Sequence, residues 1–229
     1  MSKGHLISFE GLDGAGKTTQ INLLGEWLKE RGISYIRTRE PGGTPFGVEI
    51  RQLLIHRPDL AITPLAEAFL FQADRAQHFT KKILPALEAG IHVVTDRCFD
   101  SSIAYQGAAR GIGTAVIEQL SLLATQGHSP DLTILLDLDP TLVRARTASQ
   151  KDGTVNYPGM QDRGELTHFD LEAESFHRRL REAFLALAHA HPERIKVIDA
   201  SLPPEKVHRE IVGLVEHLLK FQYPQAESK

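Results

Sequence analysis

Apolar positions along the chain follow two alternating rhythms. Short runs rich in β-branched residues occupy Leu6–Phe9, Tyr35–Thr38, His92–Asp96, Leu132–Leu138 and Ile195–Asp199, and their length and composition predict strands. Between them apolar residues return at one-turn intervals. Ile21, Leu24 and Leu28 do so around Trp27, as do Ile50, Leu53 and Leu54, and then Leu180, Phe184 and Leu187 within Phe176–Ala190. Strands alternating with helices require crossover connections, which predicts one α/β domain with a five-stranded parallel sheet buried between helices on both faces. A chain of 229 residues suits a single domain of this kind. The interval Ala148–Thr167 breaks the alternation: it is polar, and Tyr157-Pro158-Gly159 lies in its middle. Loops of that length in compact domains are commonly lids, so residues 148–168 are expected to form a mobile lid insertion. Residues 222–229 are expected to form a flexible tail.

Composition narrows the partners. Hydrophobic residues at 41% and charged residues at 24% are the ordinary balance of a globular protein. A formal charge of −3 argues against a protein that coats nucleic acid. Cys98 is the only cysteine, which rules out an internal disulfide and a cysteine-rich metal site and suits a reducing, cytoplasmic setting. No segment reaches the roughly eighteen consecutive apolar residues that a membrane span needs. The segment before the first strand, Met1-Ser2-Lys3-Gly4-His5, has no apolar stretch of the secretory kind.

The most specific chemical signal follows the first strand. Gly11-Leu12-Asp13-Gly14-Ala15-Gly16-Lys17-Thr18 matches G-x-x-x-x-G-K-[ST], with a helical pattern directly after it. Glycines let the backbone curl around an anion with several N–H groups inward, and the following helix adds its positive end. Lys17 can reach the β- and γ-phosphates of ATP, and the Thr18 hydroxyl can ligate Mg²⁺. The loop identifies a nucleotide site without naming the reaction.

A guanine-nucleotide switch would need an Asn-Lys-x-Asp base reader, and neither Asn22 nor Asn156 begins one. A small kinase needs an acceptor pocket, arginines to hold two phosphates together and a lid that excludes water. Asp96-Arg97 ends the third predicted strand, at the sheet edge where ligands sit in open parallel sheets. This puts Asp96 near the Mg²⁺ end of the cradle and Arg97 near the acceptor phosphate. Arg51 lies one turn along the helix after the second strand. Phe71 and Arg75, four apart, share one helix face, and together they could stack on a base and hydrogen-bond it; ordinary core packing with a surface charge is the competing account of that pair. The run Arg178-Arg179-Leu180-Arg181 reads as a solvated helix face, and Cys98 as a space-filling thiol.

Four separated blocks carry a family resemblance. They are Phe9–Thr19, Thr38-Arg-Glu-Pro-Gly-Gly-Thr44, Leu70-Phe-Gln-Ala-Asp-Arg75 and Asp96-Arg-Cys-Phe-Asp-Ser-Ser-Ile-Ala-Tyr-Gln-Gly107. In these the chain resembles the thymidylate kinases, the bacterial nucleoside monophosphate kinases that act on dTMP, over essentially its whole length. The resemblance implies transfer of a phosphoryl group from ATP to dTMP with Mg²⁺, by a homodimer. It implies that Phe71 stacks on thymine, that Arg75 donates to a ring carbonyl, and that Ser102 and Gln106 complete the reading of the base edge. Tyr105 would lie beneath the sugar and disfavour a 2′-hydroxyl. Arg51 and Arg97 would hold the dTMP phosphate beside the Glu40-Pro41-Gly42-Gly43 turn, and Asp13 would stand near the sugar 3′-hydroxyl and the transferring group. The backbone near Asp199-Ala200-Ser201 would border adenine. The x positions of the cradle carry no basic residue, so a lid cation would be required, with Arg144, Arg146, Lys151 and Arg163 as candidates. Among these, Arg163 would serve catalysis and Arg146 would serve ATP binding. Where the family's lid commonly has arginine, this chain has His168.

Overall fold

The computed structural model describes residues 3–143, 156–157, 160–161 and 174–220. Five strands form one sheet: β1 (Leu6–Glu10), β2 (Tyr35–Arg39), β3 (His92–Asp96), β4 (Leu132–Asp137) and β7 (Ile195–Asp199), in the order β2-β3-β1-β4-β7 and all parallel. A two-stranded antiparallel hairpin, β5 (Asn156–Tyr157) with β6 (Met160–Gln161), lies within the stretch expected to form a lid. The rest of residues 148–168 and the tail at 222–229 lie outside the described residues.

Eight α-helices connect the strands among the described residues: α1 (Lys17–Glu30), α2 (Pro45–His56), α3 (Pro64–His78), α4 (Leu84–Glu88), α5 (Phe99–Ser102), α6 (Thr114–Ala124), α7 (Glu174–Ala190) and α8 (Pro204–Lys220). Two π-helical stretches extend them. Phe79–Ile83 joins α3 to α4, and Ile103–Ala109 continues α5. Pattern reading did not anticipate either, since a wider helical turn leaves the apolar spacing locally ambiguous.

Alternation along the strands divides the core. Ile7 and Phe9 of β1 join Ile21, Leu24 and Leu28 of α1 and Ile211 and Val215 of α8. Leu6, on the opposite face, joins Ala68 of α3, Phe79, Ile83 and Ile117 of α6. A third cluster seats Phe176, Leu180 and Phe184 of α7 against Leu12 and Tyr105.

β1 and β2 each run one residue past the predicted apolar stretch, to Glu10 and Arg39, because those polar residues still pair in the ladder, Glu10 with Leu135 and Arg39 with Asp96. β4 stops at Asp137, one residue short of the predicted Leu138. Parallel pairing brings the carboxyl ends of β1, β2 and β3 to one edge, and this edge carries the site.

Candidate active site

The cradle leaves β1 at Gly11, whose φ of 128° suits glycine. A Cβ there would meet the Leu136 carbonyl oxygen at 2.4 Å, so the loop can pass β4 only without a side chain. Gly16, at φ 98°, turns the chain into α1. Lys17, 6% exposed, donates to the carbonyl oxygens of Gly11 and Leu12 at 3.1 and 3.0 Å and to Asp13 Oδ1 at 3.3 Å. Thr18 follows in the first turn of α1.

Asp13 also links the cradle to β3. Arg97 Nη2 donates to the same Oδ1 at 2.7 Å, and its Nη1 donates to Ser101 Oγ at 2.8 Å. Burial works to raise the Asp13 carboxyl, but Arg97 and then Lys17 prevail and hold it well below the usual carboxylate range. Arg97 takes φ 68°, an uncommon value for a residue with a side chain and one often found at functional turns. Its guanidinium carbon lies 5.2 Å from the centre of the Tyr105 ring, and Nη2 reaches the Tyr105 hydroxyl at 3.3 Å. Asp96 closes β3 level with Phe9 of β1 and Arg39 of β2.

α3 contributes a buried polar wall. Arg75, 1% exposed, donates to Glu40 Oε2 at 2.9 Å, Gln72 Oε1 at 2.8 Å and Ser102 Oγ at 3.0 Å. It is therefore no surface charge. Phe71, one turn earlier and partly buried, packs against the cluster containing Tyr105, Phe176 and Phe184. Gln106 donates from Nε2 to Glu67 Oε1 at 2.8 Å. The Glu40 carboxylate bridges Arg75 and His78 Nδ1, the latter at 3.0 Å, and the other imidazole nitrogen meets Thr38 Oγ1 at 2.6 Å. Burial opposes ionisation of Glu40, but Arg75 and His78 outweigh it and lower its pKa. Asp74 accepts from the Gly42 N–H at 3.2 Å; burial, reinforced by Glu40, raises its carboxyl to about 6.

The turn after β2 rests on this wall. The Glu40–Pro41 peptide is cis, and a Cβ at Gly43 would lie 2.3 Å from His78 Nε2. Arg51 Nη1 donates to the Pro41 carbonyl at 3.3 Å, and Thr44 caps α2 by accepting from the Gly47 N–H. A cradle with a lysine, a neighbouring strand end with an arginine and a buried polar wall are the parts of a nucleotide phosphotransferase.

The thymidylate kinase family model matches residues 9–211. The chain belongs to the thymidylate kinase family. A thymidylate kinase from Clavibacter sepedonicus is 49% identical over 211 residues, 91% of this chain and 92% of its own length. One from Carboxydothermus hydrogenoformans is 42% identical over 216 residues, covering 94% and 98%. The crystal structure of thymidylate kinase from Ehrlichia chaffeensis superposes with a TM-score of 0.70 at 32% identity, across 93% of this chain and 99% of that one.

The family motifs thus converge in space, with Asp13, Lys17 and Arg97 in one constellation and Phe71, Arg75, Ser102 and Gln106 along one wall. Arg144, Arg146, Lys151, Arg163 and His168 lie outside the described residues. Cys98 is fully buried, in keeping with a space-filling role. Arg181 departs from the solvated face expected of its run. It grips Asp137 with Nε and Nη2 at 2.7 and 2.8 Å, because α7 crosses the carboxyl end of β4.

Several participants had no recognisable signal in the sequence. Glu10 ends β1 fully buried, accepting from the N–H groups of Cys98 and Ser101 at 2.8 and 3.2 Å and from Ser101 Oγ at 2.5 Å. Burial drives its carboxyl up, Arg97 pulls it back, and the balance lies at about 7. Glu67 and His78 were equally silent. In each case the partner lies thirty or more residues away.

Proposed function

We propose that this site transfers the γ-phosphoryl group of ATP to dTMP, giving ADP and dTDP, with Mg²⁺ and a lid cation. The observation that carries the reading is Asp13, whose single oxygen receives both the cradle's Lys17 and the acceptor-side Arg97. On this reading the donor and acceptor phosphate sites would share one contact, which favours the close positioning that in-line transfer between two bound phosphates needs. A phosphate oxygen of dTMP is already ionised near neutrality and needs no strong base. Catalysis then rests on positioning and on charge stabilisation by Lys17, Arg97 and an arginine of the lid, for which Arg163 is the candidate, with Arg146 on ATP.

Mg²⁺ would be held by Thr18 and, through water, by Asp96. Among the described residues no cluster of three or more metal-ligating side chains occurs. That donor set fits Mg²⁺, which keeps several waters and takes phosphate oxygens alongside one or two protein ligands. The ion would supply neutralisation of phosphate charge.

Phe71, Arg75, Ser102 and Gln106 would read the base, Tyr105 the sugar, and Arg51, Arg97 and the Glu40 turn the acceptor phosphate. A homodimer is supported by apolar faces of α3 and α6, which pack side by side and expose Leu65, Phe69, Val116 and Leu123, the last at 78%. No described helix is long and apolar enough to cross a membrane. A cytoplasmic location is the reading that suits small nucleotide substrates and a lone buried thiol.

A coupled ADP-release assay across dTMP, dUMP, AMP, GMP and CMP tests the acceptor. Turnover of dTMP well above the purine and cytosine monophosphates is expected; AMP or CMP used as well as dTMP would leave only a generic monophosphate kinase.

A further inference from the structure

Two polar rungs cross between α3 and the segment that follows β3. Arg75 Nη2 donates to Ser102 Oγ at 3.0 Å, and Gln106, four residues after Ser102, donates from Nε2 at 2.8 Å to Oε1 of Glu67, eight residues before Arg75 on α3. Glu67, Phe71 and Arg75 are spaced one turn apart on a single face of α3, so the Phe71 ring stands between the rungs. All four rung residues are at most 4% exposed, while Phe71 is only partly buried. A flat base stacked on Phe71 would meet the guanidinium and, beside it, the carboxamide along one edge.

The carboxamide is ambiguous, since it donates from one end and accepts at the other. Glu67 removes the ambiguity: a carboxylate can only accept, so it takes the amide N–H and turns the amide oxygen the other way. Arg110 stands 3.6 Å from the same carboxylate oxygen, with its guanidinium over the Phe176 ring at 5.2 Å, which holds the pair against α7. The wall would then present a donor from Arg75 followed by an acceptor from Gln106. Thymine and uracil show the complement in the same order, a carbonyl oxygen and then a ring N–H. Cytosine shows the reverse, an amino group and then a bare ring nitrogen.

We propose that Glu67 is a specificity-determining residue, which fixes preference for thymine over cytosine by orienting the Gln106 amide without itself touching the base. The proposal rests on the reading that the Phe71 wall holds the acceptor base. Glu67 would otherwise be only a core partner satisfying a buried amide, and the two roles separate in kinetics. A core role predicts a lower melting temperature and a parallel loss for every acceptor. An orienting role predicts a selective change.

The experiment measures kcat/KM for dTMP, dUMP and dCMP in the wild type, Glu67→Gln, Gln106→Leu and the exchange Glu67→Gln/Gln106→Glu, each with a melting curve. In Glu67→Gln the residue can donate or accept, so the amide is no longer fixed. The preference for dTMP over dCMP should fall about tenfold or more, the scale of a misdirected hydrogen-bonding group in a specificity pocket, while the dTMP to dUMP ratio is unchanged. The exchange keeps the rung and again presents an acceptor, so it should recover preference even where Glu67→Gln folds poorly. Wild-type preference in folded Glu67→Gln, or no recovery in the exchange, overturns the role of Glu67. Full preference in Gln106→Leu would instead show that the amide does not face the base, and the reading of the pocket would fall with it.

Discussion

Replacing Glu10 with glutamine should stabilise the ligand-free protein in alkaline buffer and change little in acid. Glu10 is fully buried at the end of β1, and its carboxyl rises from an ordinary 4.5 to about 7. Between those values the unfolded chain has released a proton that the folded chain still holds, so stability falls as pH rises through the window and levels off above it. Each pH unit of separation corresponds to about 1.4 kcal/mol, so the penalty reaches about 3 kcal/mol at pH 8. Glutamine can keep its oxygen on the N–H groups of Cys98 and Ser101 and direct its NH₂ to Ser101 Oγ, while bearing no charge at any pH. For a chain of this length about 3 kcal/mol corresponds to roughly 6–12 °C in melting temperature. Melting curves without nucleotide or Mg²⁺, taken from pH 5 to pH 8.5, should therefore show the variant gaining on the wild type by several degrees, most of it between pH 5 and 7. A difference that is constant across the range, or a wild type that gains with pH, would refute the view that burial outweighs Arg97 at this carboxyl.

Two further outcomes follow from the acceptor side and the lid. Tyr105→Ala should narrow the gap in kcat/KM between dTMP and its ribonucleotide counterpart, by about 1–3 kcal/mol at most for loss of a steric filter; an unchanged ratio would remove Tyr105 from the sugar site. Arg163→Ala should lower kcat about 10³-fold while leaving the KM for dTMP nearly unchanged, as expected for a contact made only in the transition state, and steady-state rates at wild-type level would shift attention to Arg144.

The sheet and the cradle were legible because each is a local signal. Apolar runs mark strands wherever both faces are buried, and the glycine–lysine loop declares itself through chemistry that few other residues can perform. Arg75 was legible only as a candidate, since nothing at i and i+4 tells a buried fork from a surface charge; its burial depends on Glu40, 35 residues away. Glu10 falls just past the apolar run Leu6–Phe9, and only the ladder partner Leu135 and the chain returning at Cys98 and Ser101 make it an interior acid. Glu67 and Gln106 carry no joint signal at a separation of 39 residues. Arg181 was misread for the same reason: its helix face is decided by Asp137, 44 residues earlier. Long-range polar pairing is a property of the assembled fold, and a single sequence gives composition at each end without the distance between them.

The contacts of Lys17 also bear on which anions the cradle will reject. Its ammonium already has carbonyl oxygens at 3.1 and 3.0 Å and a carboxylate oxygen at 3.3 Å, so a phosphate gains only the difference between its own attraction and theirs. A lone inorganic phosphate or sulfate, meeting the lysine with little else to hold it, would find that difference small. A triphosphate chain would engage the loop N–H groups and the lysine together, so that its several contacts offset the exchange. On that reading the loop's own oxygens would act as a threshold, excluding abundant small anions while admitting nucleotides.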